Sequence, residues 1–418
     1  TPRSHRHPPP ASLIFRYRFL LIVCLLMVPA VPRSRASIAD TEIKISASDG
    51  AFGDFFGWSV DTDGTTAIAA AIDGHTGVAY LFDQATGAEL HKLNGSNPTS
   101  GPHTTAAAAV EGAYAIVGAA AQNKVLVFDV ASGNELYAIP NPTGYPNPFY
   151  GSSVDISGNR AIVGTRFGGA AYIYDVTTGD ELVELMPPPG AAFFFGVSVA
   201  IDGNLAIVGA DADLYGEGEA YIYDATTGDL LQTLAASDGD DLNSFGISVA
   251  ISGTTAVVGA RGADPHGAAY VYDALTGQEL WKLTADDAGI DDQFGYDVSV
   301  SGEYALVGAY NHTHEPDGAI GAGAAYLFDI TTGAQISQLL ASDGDSGAAF
   351  GSTLALVGNQ AVIGASIQPV NPGAAYLYTV PEPAAGALAL IAALALSTVR
   401  RRSPSRRNAA SAYWIGTR

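Results

Sequence analysis

The sequence predicts an all-β fold, a seven-bladed β-propeller of four-stranded antiparallel blades, and three observations predict it. A segment recurs seven times at intervals of 45 to 56 residues. Each of the first six copies carries four short runs in which apolar residues alternate, rich in β-branched and aromatic side chains, as strands with two distinct faces require. The last copy lacks its fourth run, and an unmatched run of the same kind stands before the first copy. Antiparallel rings close this way, because the first strand completes the last blade and no sheet edge stays open.

Taken in order, the chain begins with Arg16 and Arg18 ahead of an apolar run over residues 19–30, followed by small residues at 34–36 and 37–39. That pattern predicts a signal peptide over 1–39, since the run is shorter than the ~20 residues a membrane span needs. The single cysteine, Cys24, falls inside this segment, so disulfide and thiol chemistry are not expected in the mature chain.

The repeat occupies residues 40–379. Its hairpin glycines are Gly64, Gly112, Gly158, Gly203, Gly253, Gly302 and Gly358. Seven residues before six of them stands another glycine preceded by an aromatic: Phe56-Gly57, Tyr150-Gly151, Phe195-Gly196, Phe245-Gly246, Phe294-Gly295 and Phe350-Gly351. In the fifth copy, residues 245–283, the runs 247–251, 255–258, 268–272 and 279–283 are the four expected strands. Residues 42–50, EIKISASDG, match 335–344, QISQLLASDG, so a strand at about 42–46 is expected to complete the last blade.

Charge limits the function. Residues 1–39 hold six Arg and no acid, and 381–418 hold six Arg and one acid. The repeat region therefore keeps 7 basic and 41 acidic residues, a net of −34. Nucleic acid is excluded as a partner, because phosphate binding needs basic surface. Cations, cationic polymers and basic partners are favoured.

Short turns join strands one and two, and strands three and four. The acids gather in the other loops, which share one face: Asp49 and Asp54; Asp238, Asp240 and Asp241; Asp286, Asp287, Asp291 and Asp292; Asp343 and Asp345. From Asp238 onward, these nine are the candidate metal ligands, with calcium as the ion, since hard cations take several closely spaced carboxylate oxygens. The alternative is that they are solvated turn acids bonded to nearby amides. His312 and His314, with Glu315 and Asp317, are either a transition-metal set or a polar loop tip. No Ser/His/Asp set, G-x-S-x-G elbow, phosphate loop or HExxH helix appears, so no enzyme is expected. The pairs Tyr172/Tyr174, Tyr221/Tyr223 and Tyr270/Tyr272 fit blade packing.

Phe245-Gly246, Val258-Gly259-Ala260 and residues 267–270 (GAAY) together resemble the FG-GAP repeats of integrin-alpha-like propellers, over about 340 residues. That resemblance implies the propeller fold and a binding or adhesion role. The D-x-D-x-D-G calcium loop of such repeats has no counterpart in the short turns here. Pro381, Glu382 and Pro383, an apolar run over 384–399 and Arg400, Arg401 and Arg402 resemble a PEP-CTERM sorting signal over 380–402. The resemblance implies export to the cell surface and processing by an exosortase-type membrane protease; an ordinary membrane anchor is the alternative. Residues 403–418 form a basic tail. Residues 270–283 (YVYDALTGQELWKL) also resemble the repeat of quinoprotein dehydrogenases, which implies pyrroloquinoline quinone and a periplasmic dehydrogenase as a second function. The first expectation is an exported, non-catalytic propeller whose acidic loop face binds a surface protein or polysaccharide.

Overall fold

The computed structural model describes residues 41–380 except 74–75, 96–106, 144–148, 167–168, 192–193, 212–217, 240–243, 264, 315–317 and 368–371. The signal peptide, the PEP motif with its arginines, and the tail lie outside the described residues.

Seven four-stranded antiparallel sheets form the propeller. In the fifth blade, Phe245–Ser252, Thr255–Ala260, Ala268–Asp273 and Gln278–Leu283 pair in chain order. The seventh is different, as the sequence predicts. Phe350–Val357, Gln360–Ala365 and Ala374–Thr379 are completed by Ile43–Ile45, whose Ile43 pairs with Leu377 and Ile45 with Ala375. First strands touch one another around the ring, and Ser59–Thr62 of blade one meets Phe350–Val357 of blade seven. They form the inner wall.

No blade has a core of its own. Among the described residues the buried apolar side chains form seven clusters, each drawn from two adjacent blades. One joins Leu205, Ile207 and Ile222 of blade four to Phe245, Val258 and Tyr270 of blade five. Strands two and three bury both faces, so Thr255–Ala260 reads as a continuous apolar run, whereas outer strands expose alternate residues. The tyrosine pairs are buried here, with Phe245 5.6 Å from Tyr270 and 6.1 Å from Tyr272 between ring centroids.

The two conspicuous glycines have different causes. Gly302 in its hairpin has φ 57°, and a Cβ there would meet nothing within 4 Å, so only the left-handed conformation requires glycine. At Gly308 the requirement is space, because a Cβ would overlap the carbonyl oxygen of Gly351 in the next blade. Gly118, Gly164, Gly209, Gly259 and Gly364 meet Gly151, Gly196, Gly246, Gly295 and Gly57 in the same way. Adjacent backbones also bridge in parallel at Gly267 and Phe294, Gly323 and Phe350, and Gly373 and Phe56. Aromatic–glycine pairs and the glycines before strand three are thus one lock between blades.

Candidate functional site

An up-and-down blade whose inner strand starts at the aromatic–glycine pair puts its two longer loops on one side of the ring. That loop face carries the candidate residues. Ser48 donates N–H (2.9 Å) and Oγ–H (3.0 Å) to Glu89, while Asp49 accepts from Tyr80 Oη (2.8 Å) and pairs with Lys92 Nζ (2.5 Å). The tie recurs at Ser237 with Glu279, and at Asp238 with Tyr270 Oη (2.8 Å) and Lys282. It recurs across the seam at Ser342 with Glu42, and at Asp343 with Tyr376 Oη (2.7 Å) and Lys44 Nζ (2.6 Å). Each lysine also lies over its tyrosine ring, 5.3 to 5.5 Å from the centroid. The bond to Lys282 holds the Asp238 carboxyl below the usual range, and Lys92 does the same for Asp49. Burial opposes the shift at Asp343, but Lys44 and Tyr376 still lower it.

Blade six rebuilds this tie around a histidine. Gln338 stands in the lysine position, donating to Asp287 (2.8 Å). His312 supplies the basic group, with Nδ1 2.8 Å from Asp292 Oδ2 and Nε2 3.8 Å from Asp287 Oδ2. Burial works against the charged imidazole, but Asp292 and Asp287 raise its pKa above the ordinary histidine value. His314 bonds the carbonyl of Gly323 (2.8 Å). A polar loop tip is one of the two expectations for these histidines; instead both are buried, at 7% and 6% exposure, with His314 bridged to Ala319 and residues 320–321 bonded to the loop entering blade seven. The Ile320 and Gly321 carbonyls accept N–H groups of Gly347 and Ala349 in that loop.

The seven described candidate metal ligands are dispersed along the ring. Asp238, Asp287, Asp292 and Asp343 are engaged as described. Asp286 N–H bonds Gln335 (2.9 Å), the Asp291 carbonyl accepts from Asn311 (2.8 Å), and the Asp345 carbonyl accepts from Ala348 N–H (3.1 Å). Asp240 and Asp241 lie outside the described residues, as do Glu315 and Asp317. Among the described residues, no group of three or more His, Cys, Asp or Glu side chains is arranged to hold a metal ion. Aspartates that cap turns also occupy the opposite face: Asp83 accepts from Thr86 N–H (2.8 Å) and Oγ1 (2.7 Å), and Asp129, Asp175, Asp224, Asp273 and Asp329 repeat the arrangement. The faces therefore differ in loop length more than in acidity.

A second polar set, absent from the sequence reading, lines the axial channel. Inner strands have unpaired N–H groups on their free edge, and side chains of the preceding blade accept them. Ser59, Asp61 and Asp63 take the N–H groups of Ala108 (3.1 Å), Val110 (2.8 Å) and Gly112 (3.1 Å). Ser153, Asp155 and Ser157 do so for Val199, Ile201 and Gly203, and Asp297, Ser299 and Ser301 for Leu354, Leu356 and Gly358. Desolvation in the channel raises the Asp155 carboxyl to about 7 and Asp297 to about 6, and Asp61 is raised too. Ser or Asp at alternate inner-strand positions is the signal that would have revealed this ladder.

Trp281, which carries the quinoprotein resemblance, packs over Gly333 in the next blade's turn, where a Cβ would lie 2.6 Å from its ring. His91, Tyr137 and Val183 fill the same position over Gly133, Gly179 and Gly228. The residues do not fit pyrroloquinoline quinone: this ring is engaged by its neighbour, and three of the seven basic residues are paired with aspartates.

A family model described as FG-GAP repeat matches residues 40–82, 184–223, 230–272, 278–328 and 334–378, more than half of the chain. No curated protein matches it. Among solved structures it is similar to the "crystal structure of RRP9 WD40 repeats", at 10% identity and a TM-score of 0.58, over 82% of this chain and 98% of that one. At that identity the likeness shows the fold alone.

Proposed function

Since the chain belongs to the FG-GAP repeat family, we propose that it is a non-catalytic binding and adhesion module acting outside the cell. Its loop face meets a positively charged surface protein or polysaccharide. The observation that carries this reading is the asymmetry of the ring. One side has two-residue hairpins and capped turns, and the other has the long loops, including the 311–322 insertion. Acids beyond the lysine ties, such as Asp286 and Asp345, supply the electrostatic part. Export rests on residues 1–39, and surface sorting by an exosortase-type protease on Pro381, Glu382, Pro383, Arg400, Arg401 and Arg402. N-terminal sequencing of the exported product checks the first; a product that retains residues 19–30 overturns it.

Surface plasmon resonance with the immobilised chain tests the binding reading, using basic proteins and polysaccharides as analytes. Binding is expected to weaken with salt and to fall about ten-fold in an Asp286→Lys, Asp345→Lys double variant. Asp175→Lys on the hairpin face serves as the control. Equal losses from the two faces, or no binding at all, would overturn the proposal.

A further inference from the structure

We propose that the loop face holds a small-molecule site between blades five and six for a hydroxylated carboxylate, of which a hexuronate unit is the simplest example. A cavity of about 360 Å³ opens there, within the ~300–1,000 Å³ range of small-molecule sites. Arg261 enters it from the end of the second strand of blade five, and Tyr310 from the same place in blade six. His266 comes from the loop before strand three, and Asp291 and Gln293 from the loop entering blade six. This site goes beyond the adhesion reading, and does not need it to be correct.

What sets the cavity apart is that, among the described residues, the side chains of Arg261, His266, Asp291, Gln293 and Tyr310 make no hydrogen bond or ion pair. Elsewhere on this face Asp49, Asp238 and Asp343 are committed to tyrosine and lysine. Among the described residues Arg261 has no carboxylate within ion-pair distance, although acids outnumber bases around the ring. Its guanidinium is instead steadied 5.4 Å from the Tyr296 ring centroid, and Tyr296 packs 4.4 Å from Tyr310. A stacked guanidinium keeps its planar fork of donors free, which is the geometry a carboxylate fits. His266 Nδ1 is buried without a hydrogen-bond partner.

Asp291 adds a backbone argument. The loops entering blades one and seven place glycine at its position, Gly53 (φ 91°) and Gly347 (φ 80°), whereas Asp291 adopts φ 66° with a side chain. A left-handed non-glycine residue is uncommon, and such positions cluster where a side chain is needed for binding. Gln293 (φ 57°) has left-handed counterparts in Phe55, Ser244 and Ala349, so its conformation belongs to the repeat and only its amide is particular to this blade.

The mixture of charges selects the ligand. A bare cation would meet Arg261, and a compact dianion would meet Asp291. A ligand with one carboxylate and several hydroxyls satisfies both, with the carboxylate on Arg261 and hydroxyls on Asp291, Gln293, His266 and Tyr310.

Isothermal titration of sodium D-glucuronate into the full-length chain tests the site, with D-glucose as its carboxylate-free match. Saturable binding of glucuronate is expected, with glucose and the Arg261→Gln variant each weaker by about ten-fold or more. Gln293→Ala should lose a few-fold, and Arg160→Gln, whose guanidinium bonds the Gly203 carbonyl on the hairpin face, should lose nothing. Thermal melting of each variant shows whether it is folded. No saturation in the intact protein, equal affinity for glucose, or full affinity in a folded Arg261→Gln variant would each overturn the proposal.

Discussion

Inner and outer strands of this ring hold the blades together by opposite means. Inside, the joints are backbone against backbone: glycine meets glycine, and free-edge N–H groups are taken up by Ser and Asp of the preceding blade. Outside, the joints are exposed side chains, lysine to aspartate and glutamate to serine, at the mouth of the loop face. The inner joints tolerate almost no change in volume. Blade six shows that the outer ones do tolerate it, since Gln338 and His312 replace a lysine there without loss of the tie to Asp287. Variation is therefore admitted where the loops are, and refused along the axis.

The largest expected effect comes from the one place where inner and outer depend on each other, the seam. Deleting residues 42–46 removes the outer strand of blade seven and uncovers Leu377 and Tyr376. The melting temperature should fall by about 10 °C or more, as expected for a loss of several kcal/mol. An unchanged melting curve would mean that closure adds nothing. Next is Gly308→Ala, whose Cβ overlaps the Gly351 carbonyl and should cost about 3 kcal/mol or more. Gly302→Ala at the hairpin, where only φ is strained, should cost about 1–2 kcal/mol. If chemical denaturation gave equal losses for the two, the division between space and conformation would fail.

A smaller and pH-dependent effect separates the channel from the rim. The folded-state carboxyls of Asp155 (about 7) and Asp297 (about 6) lie above their unfolded values. The native state therefore holds more protons between pH 4 and 7, and stability falls as pH rises through that window. His312, raised by Asp292 and Asp287, acts in the same direction, because its contribution is lost as the imidazole deprotonates. Asp49 and Asp238, lowered by their lysines, act oppositely and lose their contribution only as pH falls below the ordinary carboxylate range. Melting at pH 5.5 should therefore exceed melting at pH 8. Asp155→Ser, the residue blade six uses at this position as Ser299, should narrow that gap. A gap of the same size in the variant would remove Asp155 from the explanation.

The smallest effect should come from the rim itself. Lys282→Met breaks a pair that is about half exposed on its acidic side and should cost no more than ~1 kcal/mol by chemical denaturation. The same loops answer the calcium question. With Asp238 and Asp343 already paired, millimolar calcium should move the melting temperature by less than about 1 °C. A saturable isotherm with a rise of several degrees would show that acids of the loop face take the ion.

How much of this was legible follows from how far apart the cooperating residues stand. Blade number, strand order and the seam could be read because each depends on short contiguous patterns that recur from copy to copy. The lysine ties were also readable in principle: Tyr80 and Lys92, and Tyr270 and Lys282, share a spacing of 12, and an aspartate precedes each tyrosine by about 31 residues. Their acids read equally as metal ligands or as solvated turn residues, because neighbouring aspartates in a loop look alike before their partners are placed. His312 and His314 are hard to place for a related reason, since Asn-His-Thr-His is polar in sequence, and its burial accompanies contacts that residues 320–321 make with the distant loop entering blade seven. The Arg261 cavity had no sequence signal at all. Its walls come from two blades, and no single copy contains them.

One detail of the seam sets how the molecule is mounted. Thr41 Oγ1 and Thr379 bond each other, and Val380 donates its N–H to Asn359 in the hairpin of blade seven. Both ends of the ring are thus brought side by side at the rim, on the hairpin side. Any tether attached at either end holds the disc from behind, with the long loops and the Arg261 cavity turned away from the support. Traction on such a tether would be borne first by the three-residue strand Ile43–Ile45 and its partner in blade seven, leaving the other six blades unloaded until that pairing gives way.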